Sequence, residues 1–154
     1  MRDYIIMTDS CCDLSQQEVE ELELTVLPLS FTIEGKTLLN TPDHADMSPE
    51  EFFAKIAAGA DCTTAAVNVG QFTDAMEKVL QEGKDILCVC FSSALSTTYQ
   101  SACIAAEDLR EKYPEAKILV IDSLSASRGQ GMLLYRAVRA VSYTHLTLPT
   151  IRLV

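Results

Sequence analysis

The stretch ILCVCF, residues 86–91, decides how this chain folds, because every one of its residues is apolar. A continuous apolar run of this length is typical of a strand in a sheet whose two faces are both covered. A hydroxyl-rich loop follows at residues 92–98, and a helical pattern then extends to about Lys112, where Pro114 ends it. Strand, loop and helix in this order predict one βα unit of a parallel sheet.

The same order occurs on both sides of this unit. Tyr4-Ile5-Ile6-Met7 is a short apolar run that enters a polar loop, and residues 117–121 form another that stops at Asp122-Ser123. Helical patterns begin at four further places: Ser15, Ser48, the segment around Phe72, and Ser127. Because strands and helices alternate, we predict an α/β fold with a mostly parallel sheet flanked by helices and no internal domain boundary.

Composition and charge exclude several classes of function. The chain has 154 residues and a formal net charge of −10, and it lacks the basic patch that nucleic-acid phosphates require. No apolar run approaches the length of a membrane span, and the amino terminus does not have the pattern of a secretory signal. We therefore expect a cytoplasmic protein with no nucleic-acid partner and no stable membrane insertion.

The six cysteines are expected to have structural roles. Neither Cys11-Cys12 nor Cys88-Val89-Cys90 has the CxxC spacing of a zinc site, and His44 is remote from both in the sequence. Small thiols inside an apolar strand are ordinary. We expect no metal, no cofactor and no redox role.

Three predicted strands end in loops that are dense in hydroxyl groups. The loops are residues 8–10, 91–98 and 122–127, and a further pair, Thr63-Thr64, precedes the helix around Phe72. In an open α/β sheet the carboxyl ends of the strands share one edge, where ligands bind. Hydroxyls and helix-start N–H groups without a cluster of Lys or Arg suit a small anionic head such as a carboxylate. For each loop alone, helix capping is the more ordinary role of these hydroxyls.

A catalytic role is poorly supported by the sequence. There is no Gly-x-Ser-x-Gly elbow, and we expect His44 to lie on a solvated turn away from the serine-rich loops. A serine without a base remains a weak nucleophile. Gly129-Gln130-Gly131 is a fragment of a dinucleotide-binding fingerprint, but flexibility at a helix start explains it more simply.

Four segments, taken in order, resemble the motifs of the DegV family. They are TDSCCDL at residues 8–14, TTAAVNVGQF at 63–72, SSALSTTYQSA at 92–102 and VIDSLSASRGQG at 120–131. The resemblance covers residues 1 to about 140 and implies a fatty-acid-binding protein. Members of this family enclose an acyl chain between two domains and present its carboxylate to a separate fatty acid kinase, which makes the acyl phosphate.

The resemblance also implies which residues bind the ligand. By motif position, the hydroxyls of Thr64 and Ser96 hold the carboxylate of a long-chain fatty acid, and the acyl tail lies in an apolar tunnel. Further residues of the strand-end loops are expected to support this site: Asp9, Ser10, Ser93, Thr97, Asp122 and Ser123. The protein is then a lipid carrier with no catalytic residue and no metal ligand.

The sequence departs from the family pattern at two places. Ala65-Ala66 stands where the family has Ser-Gln, which removes a polar side chain near the head group. Thr97 stands where the family has a glycine, so a side chain occupies a position where backbone would otherwise approach the ligand closely. Two other functions stay open: a small hydrolase with Ser96 or Ser10 as nucleophile, and an interaction domain whose hydroxyls are only helix caps.

Residues 141–154 are expected not to belong to the native domain. VSYTHLTLPT, residues 141–150, is what one reading frame of a transposase-based sequencing adapter encodes. We therefore interpret 141–154 as a translated adapter scar, and residues 1–140 as a DegV-like amino-terminal domain whose second domain is missing. A genuine edge strand with alternating Tyr, His and Thr is the alternative. We expect this fragment to expose apolar surface and to bind fatty acid weakly or not at all.

Overall fold

The structure, a computed structural model, describes residues 3–144 and builds them from seven strands and five helices. The strands are β1 (Tyr4–Asp9), β2 (Thr25–Leu27), β3 (Leu29–Ile33), β4 (Lys36–Asn40), β5 (Cys62–Ala65), β6 (Asp85–Cys90) and β7 (Ile118–Asp122). The helices are α1 (Gln16–Glu21), α2 (Pro49–Ala57), α3 (Val69–Gln81), α4 (Thr98–Lys112) and α5 (Arg128–Thr144). A single 3₁₀ turn, Ser10–Cys12, follows β1.

The main sheet is parallel, with its strands in the order β2-β1-β6-β7. Successive residues of a strand point to opposite faces, so Met7 and Cys88 pack on one side of the sheet, and Ile6 and Val89 pack on the other. Helices α3 and α4 contribute to the first core, and α1 and α5 contribute to the second. The predicted α/β fold, with helices on both faces of a parallel sheet, is confirmed.

A second sheet of three antiparallel strands, in the order β4-β3-β5, was not foreseen. Pro28 separates β2 from β3, and since proline has no N–H to donate, it favours a break between sheets at this residue. Glu34 and Gly35 join β3 to β4 with φ values of 51° and 75°, as a two-residue hairpin turn requires. The sequence signal for β4 and β5 is weak because both strands are short and largely exposed.

Capping interactions set the helix starts that the sequence predicts. Ser15 and Glu18 form a capping box at α1. At α2, the Ser48 hydroxyl accepts a hydrogen bond from the backbone N–H of Glu51 at 3.1 Å. Helix α5 extends to Thr144, so residues 141–144 of the suspected adapter segment continue this helix. The rest of that segment, residues 145–154, lies outside the described residues.

Several large apolar side chains of the described residues are exposed. Leu119 and Ile121 lie on the edge strand β7 and are 60% and 44% exposed. Leu95, in the loop after β6, is 66% exposed, and Phe53, on α2, is 68% exposed. None of the helices within residues 3–144 has the length and apolar character that crossing a membrane requires.

Candidate ligand-binding site

A cavity of about 520 Å³ lies where the carboxyl ends of the parallel strands meet the antiparallel sheet and α2. Its volume falls within the range of about 300–1,000 Å³ that is usual for small-molecule sites. Thr64 and Ser96, the two predicted carboxylate ligands, both line it. Much of the wall is apolar and includes Leu29, Phe31, Met47, Phe52, Phe91 and Leu95. The cavity therefore combines a largely apolar wall with several polar side chains, which are those of Asp13, Ser30, Asn40, His44, Thr64 and Ser96.

The pleat of β5 turns Thr64 toward this cavity. Thr64 lies directly opposite Phe31 of β3, and residues paired in this way point to the same face of a sheet. Phe31 lines the cavity and packs edge-on against Phe52 of α2, with ring centroids 5.3 Å apart. Thr63 is paired with Thr32 and points to the opposite face. The strand geometry therefore distinguishes between two adjacent threonines.

The hydroxyl of Ser96 is held at the start of α4. Its Oγ accepts a hydrogen bond from the backbone N–H of Thr98 at 3.2 Å and lies 2.9 Å from the Thr98 hydroxyl. Thr98 is fully buried, so it is a fixed anchor. Thr97 has φ −79° and ψ 0°, an ordinary helical conformation. Threonine at this position therefore causes no backbone strain, although the family pattern has glycine there.

His44 lies closer to the serine-rich loop than the sequence suggested. It is exposed on a turn, as expected, but it lines the same cavity as Ser96. Its backbone N–H donates to the carbonyl oxygen of Thr41 at 3.0 Å, and its φ is 52°. Within residues 3–144 the partner of the Ser96 hydroxyl is Thr98 and not this imidazole. The arrangement lacks the serine–histidine hydrogen bond of a hydrolase.

Two supporting candidates, Asp9 and Ser10, brace the backbone and do not line this cavity. Asp9 is fully buried, and its carboxylate accepts hydrogen bonds from the backbone N–H groups of Phe91 and Cys11. The Ser10 hydroxyl accepts a hydrogen bond from the N–H of Leu29 at 3.0 Å. It therefore connects the end of β1 to the antiparallel sheet.

The side chains of the supporting candidates near β7 bond to backbone groups of the neighbouring loops. Asp122 Oδ1 accepts from the backbone N–H groups of Ser93 and Leu124 at 3.1 and 3.0 Å. The Ser123 hydroxyl donates to the carbonyl oxygen of Ser125 at 3.1 Å. The bond between Asp122 and Ser93 joins the loops after β6 and β7, and the other two lie within the loop after β7. None of Ser93, Asp122 and Ser123 lines the cavity, and the bond from Ser93 to Asp122 ties the loop that carries Ser96 to the end of β7.

The helix α2 and the loop before it contribute cavity residues that the sequence analysis did not assign to the site. Met47, Phe52 and Phe53 line the cavity. The available signal was the apolar face of this helix, on which Phe52 and Phe53 lie with Ile56. A periodic pattern of this kind is equally typical of a helix that packs on a core, so it does not reveal a cavity.

Cys11 also lines the cavity, but its thiol is not activated. Burial raises its pKa to about 12, and the carboxylates of Asp9 and Asp13 add to the shift. A thiol with such a pKa stays protonated near neutral pH and is a poor nucleophile. Cys88 and Cys90 are fully buried in β6, with their sulfurs 3.5 Å apart. Packing in the core accounts for Cys88 and Cys90, in agreement with the structural role expected for the cysteines.

Two basic residues, Arg128 and Lys84, have acidic partners. Arg128 Nη1 lies 2.6 Å from Glu18 Oε1, and Lys84 Nζ lies 2.7 Å from Glu82 Oε2. Lys84 directly precedes β6 and so lies at the amino end of the parallel sheet, opposite the cavity. Neither residue lines the cavity, which is consistent with a ligand of low negative charge.

Comparison with known proteins identifies the family. Residues 4–148 match the model of the DegV family, whose members it describes as uncharacterised proteins. The chain belongs to the DegV family. A DegV domain-containing protein of Clostridium perfringens is 39% identical over 137 residues, which are 89% of this chain and 47% of the relative. The chain thus spans about half the length of the curated DegV proteins it matches.

Solved DegV structures share this fold. A stearic-acid-binding protein from Eubacterium ventriosum superposes with a TM-score of 0.82 at 28% identity, over 92% of this chain and 48% of that one. A DegV family protein from Thermus thermophilus, whose structure is described as showing fatty acid binding, has a TM-score of 0.80 at 30% identity. The match covers 94% of this chain and 49% of that one. A Thermotoga maritima protein described as revealing a fatty acid binding function has a TM-score of 0.77 at 26% identity. The match covers 98% of this chain and 52% of that one.

Proposed function

We propose that this chain forms one half of a fatty-acid site and that its cavity receives a long-chain fatty acid. The observation that carries the proposal is the joint position of Thr64 and Ser96 on the wall of a largely apolar cavity. Two neutral hydroxyl donors suit a single carboxylate. An apolar wall suits methylene groups, each of which contributes about 0.8 kcal/mol when buried. The fatty acid binding described for solved DegV relatives supports the same conclusion.

The protein acts, in this proposal, as a cytoplasmic carrier that presents the carboxylate to a separate fatty acid kinase subunit. The Ser96 hydroxyl is engaged with Thr98, and the Cys11 thiol is held protonated, so neither is an activated nucleophile. We expect acyl phosphate to form only when a fatty acid kinase and ATP are added to the loaded protein. Formation of acyl phosphate by this chain and ATP alone would contradict this division of roles.

The second half that the relatives possess completes the site in this proposal. Phe53 and Leu95 line the cavity and are largely exposed, so in this chain one side of the acyl tail stays in contact with water. The affinity of this chain alone is therefore expected to be low. NMR titration with a short, soluble fatty acid such as decanoate is the suitable assay, because it measures weak binding residue by residue.

The exchange of Thr64 for valine tests the carboxylate contact. Valine keeps the shape of threonine and removes the hydroxyl. A hydrogen bond to a charged group contributes about 1.5–3 kcal/mol, so affinity for decanoate should fall by about tenfold or more. Thr63→Val is the matched control, because Thr63 lies on the same strand and points to the opposite face. It should leave the affinity unchanged.

Two outcomes would refute the proposal. One is the absence of any saturable shift at Thr64 and Ser96 when decanoate is added to the wild-type chain. The other is an equal loss of affinity in Thr64→Val and Thr63→Val, because a contact made by one face of β5 cannot account for it.

A further inference from the structure

The carboxylate of Asp9 is buried behind the cavity wall and bridges two parts of it. Its Oδ2 accepts a hydrogen bond from the N–H of Phe91 at 2.7 Å, and its Oδ1 accepts from the N–H of Cys11 at 3.1 Å. Phe91 and Cys11 both line the cavity, on the loops that follow the neighbouring strands β6 and β1. A single side chain therefore sets the spacing between two segments of the wall.

Gln130 of α5 supplies a third hydrogen bond to this carboxylate. Its side chain is fully buried, and its Nε2 donates to Asp9 Oδ1 at 3.3 Å and to the Thr8 hydroxyl at 2.9 Å. The Thr8 hydroxyl in turn donates to the carbonyl oxygen of Val89 at 2.8 Å. A buried carboxylate is tolerated only when its oxygens are satisfied in this way. Gln130 thus links α5 to the carboxyl ends of β1 and β6.

Gly131 allows α5 to come close enough for this contact. A Cβ at this position would lie 2.9 Å from Leu14 Cδ2 and 3.1 Å from the carbonyl oxygen of Cys12. The Leu14 side chain would have to rotate away, and the Cys12 carbonyl would have to move by a few tenths of an ångström. In the segment Gly129-Gln130-Gly131, which resembles a fragment of a dinucleotide fingerprint, Gly131 therefore serves close packing and Gln130 reaches Asp9.

We infer that Asp9, held by Gln130, is the positioning residue of the ligand cavity, because it fixes the distance between the wall segments at Phe91 and Cys11. The inference rests on the proposed function for the nature of the ligand, but the hydrogen-bond network itself needs no ligand. Burial raises the pKa of the Asp9 carboxyl, and its hydrogen bonds with Phe91, Cys11 and Gln130 lower it.

The other titratable groups near Asp9 are thiols and the carboxylates of Asp13 and Asp122, which act on the same thiols as Asp9. Burial raises the pKa of Cys11 and Cys12, and the contact with Cys88 together with burial raises that of Cys90. Among the residues that the structure describes in this network, the thiols therefore stay neutral near neutral pH. The Phe91 N–H bonds directly to Asp9 Oδ2 at 2.7 Å, so a titration followed at this amide reports on Asp9, and the same titration in Asp122→Asn is the control for the carboxylate that bonds to Ser93.

The exchange of Asp9 for asparagine tests the bridge. An amide has one acceptor oxygen where the carboxylate has two, so Phe91 and Cys11 cannot both keep their hydrogen bond. We expect amide hydrogen exchange at one of these residues to become at least about tenfold faster relative to the core of β6. Asp85→Asn is the matched control, because Asp85 accepts from the N–H of Lys117 at 3.0 Å at the opposite edge of the sheet.

Affinity provides the second measurement. Asp9→Asn should weaken decanoate binding at least about tenfold, and Asp85→Asn should leave it unchanged. A folded Asp9→Asn variant with unaltered exchange at Phe91 and Cys11, or with unaltered affinity, would overturn the inference. If the wild-type chain binds no fatty acid, the proposed function fails, and the exchange rates still decide whether Asp9 holds the two loops.

Gln130→Met covers the case in which Asp9→Asn does not fold. Methionine keeps the length of the side chain and removes the donor to Asp9. Because that donor lowers the pKa of Asp9, the pH midpoint at which the Phe91 amide resonance titrates should move upward. A purely space-filling role of Gln130 predicts no such movement, so an unchanged midpoint would overturn the inference.

Discussion

Replacement of Gly131 by alanine measures how tightly α5 packs against the turn that follows β1. The new Cβ would lie 2.9 Å from Leu14 Cδ2 and 3.1 Å from the carbonyl oxygen of Cys12. The leucine tip can rotate away, but the carbonyl belongs to the backbone of the 3₁₀ turn, so α5 or the turn must shift. Overpacking of this kind costs about 1–3 kcal/mol. Alanine offsets up to about 1 kcal/mol of this cost through its higher helix propensity.

Gly129→Ala separates these two effects. Its Cβ would lie 3.4 Å from Ser125 Cβ, which is ordinary contact, and it has a comparable gain in helix propensity. In urea or thermal unfolding, Gly131→Ala should therefore be less stable than Gly129→Ala by about 1–3 kcal/mol. For a chain of this size each kcal/mol lowers Tm by about 2–4 °C. Equal stability of the two variants would refute the close approach of α5 at Gly131.

Three further changes are informative. The hydrogen bond from Arg128 lowers the pKa of Glu18 from 4.5 to about 2, so this carboxylate stabilises the fold above pH 4.5 and loses that effect as the pH falls through about 2. Tm of Glu18→Gln should therefore decline less steeply over this interval, and parallel curves would argue against the ion pair. Phe72 is fully buried, and Phe72→Ala should lower the unfolding free energy in urea by about 3–5 kcal/mol; a loss under about 1 kcal/mol would contradict its core position. Phe53 is 68% exposed and lines the cavity. Phe53→Ala should therefore change the free energy of unfolding by no more than about 0.5 kcal/mol and weaken decanoate binding in NMR titrations. Unaltered binding would show that the acyl tail does not touch α2.

The loops after the parallel strands show where sequence reasoning succeeded and where it stopped. Grouping the hydroxyl-rich loops at one edge was correct, because parallel strands place their carboxyl ends together. The individual roles within these loops were not accessible. Asp9, Asp122 and Ser123 were expected to support the head-group site, which stays a prediction; the structure shows that their side chains bond to backbone groups of the strand-end loops. Carboxylates and hydroxyls serve both purposes equally well, so residue type alone does not separate them.

By itself, the sequence determined the α/β class, the parallel strands and the helix starts, because these depend on local signals such as the apolar run at residues 86–91 and the Ser15 capping box. Its motifs also proposed Thr64 and Ser96 as ligand residues, which stays a prediction. Only the tertiary structure decided that Asp9 bonds to Phe91, 82 residues away, and to Gln130, 121 residues away. It also decided that His44 reaches the cavity and that a second sheet supplies part of the wall. Such contacts join segments that are distant in the chain, and no local pattern records the distance between them.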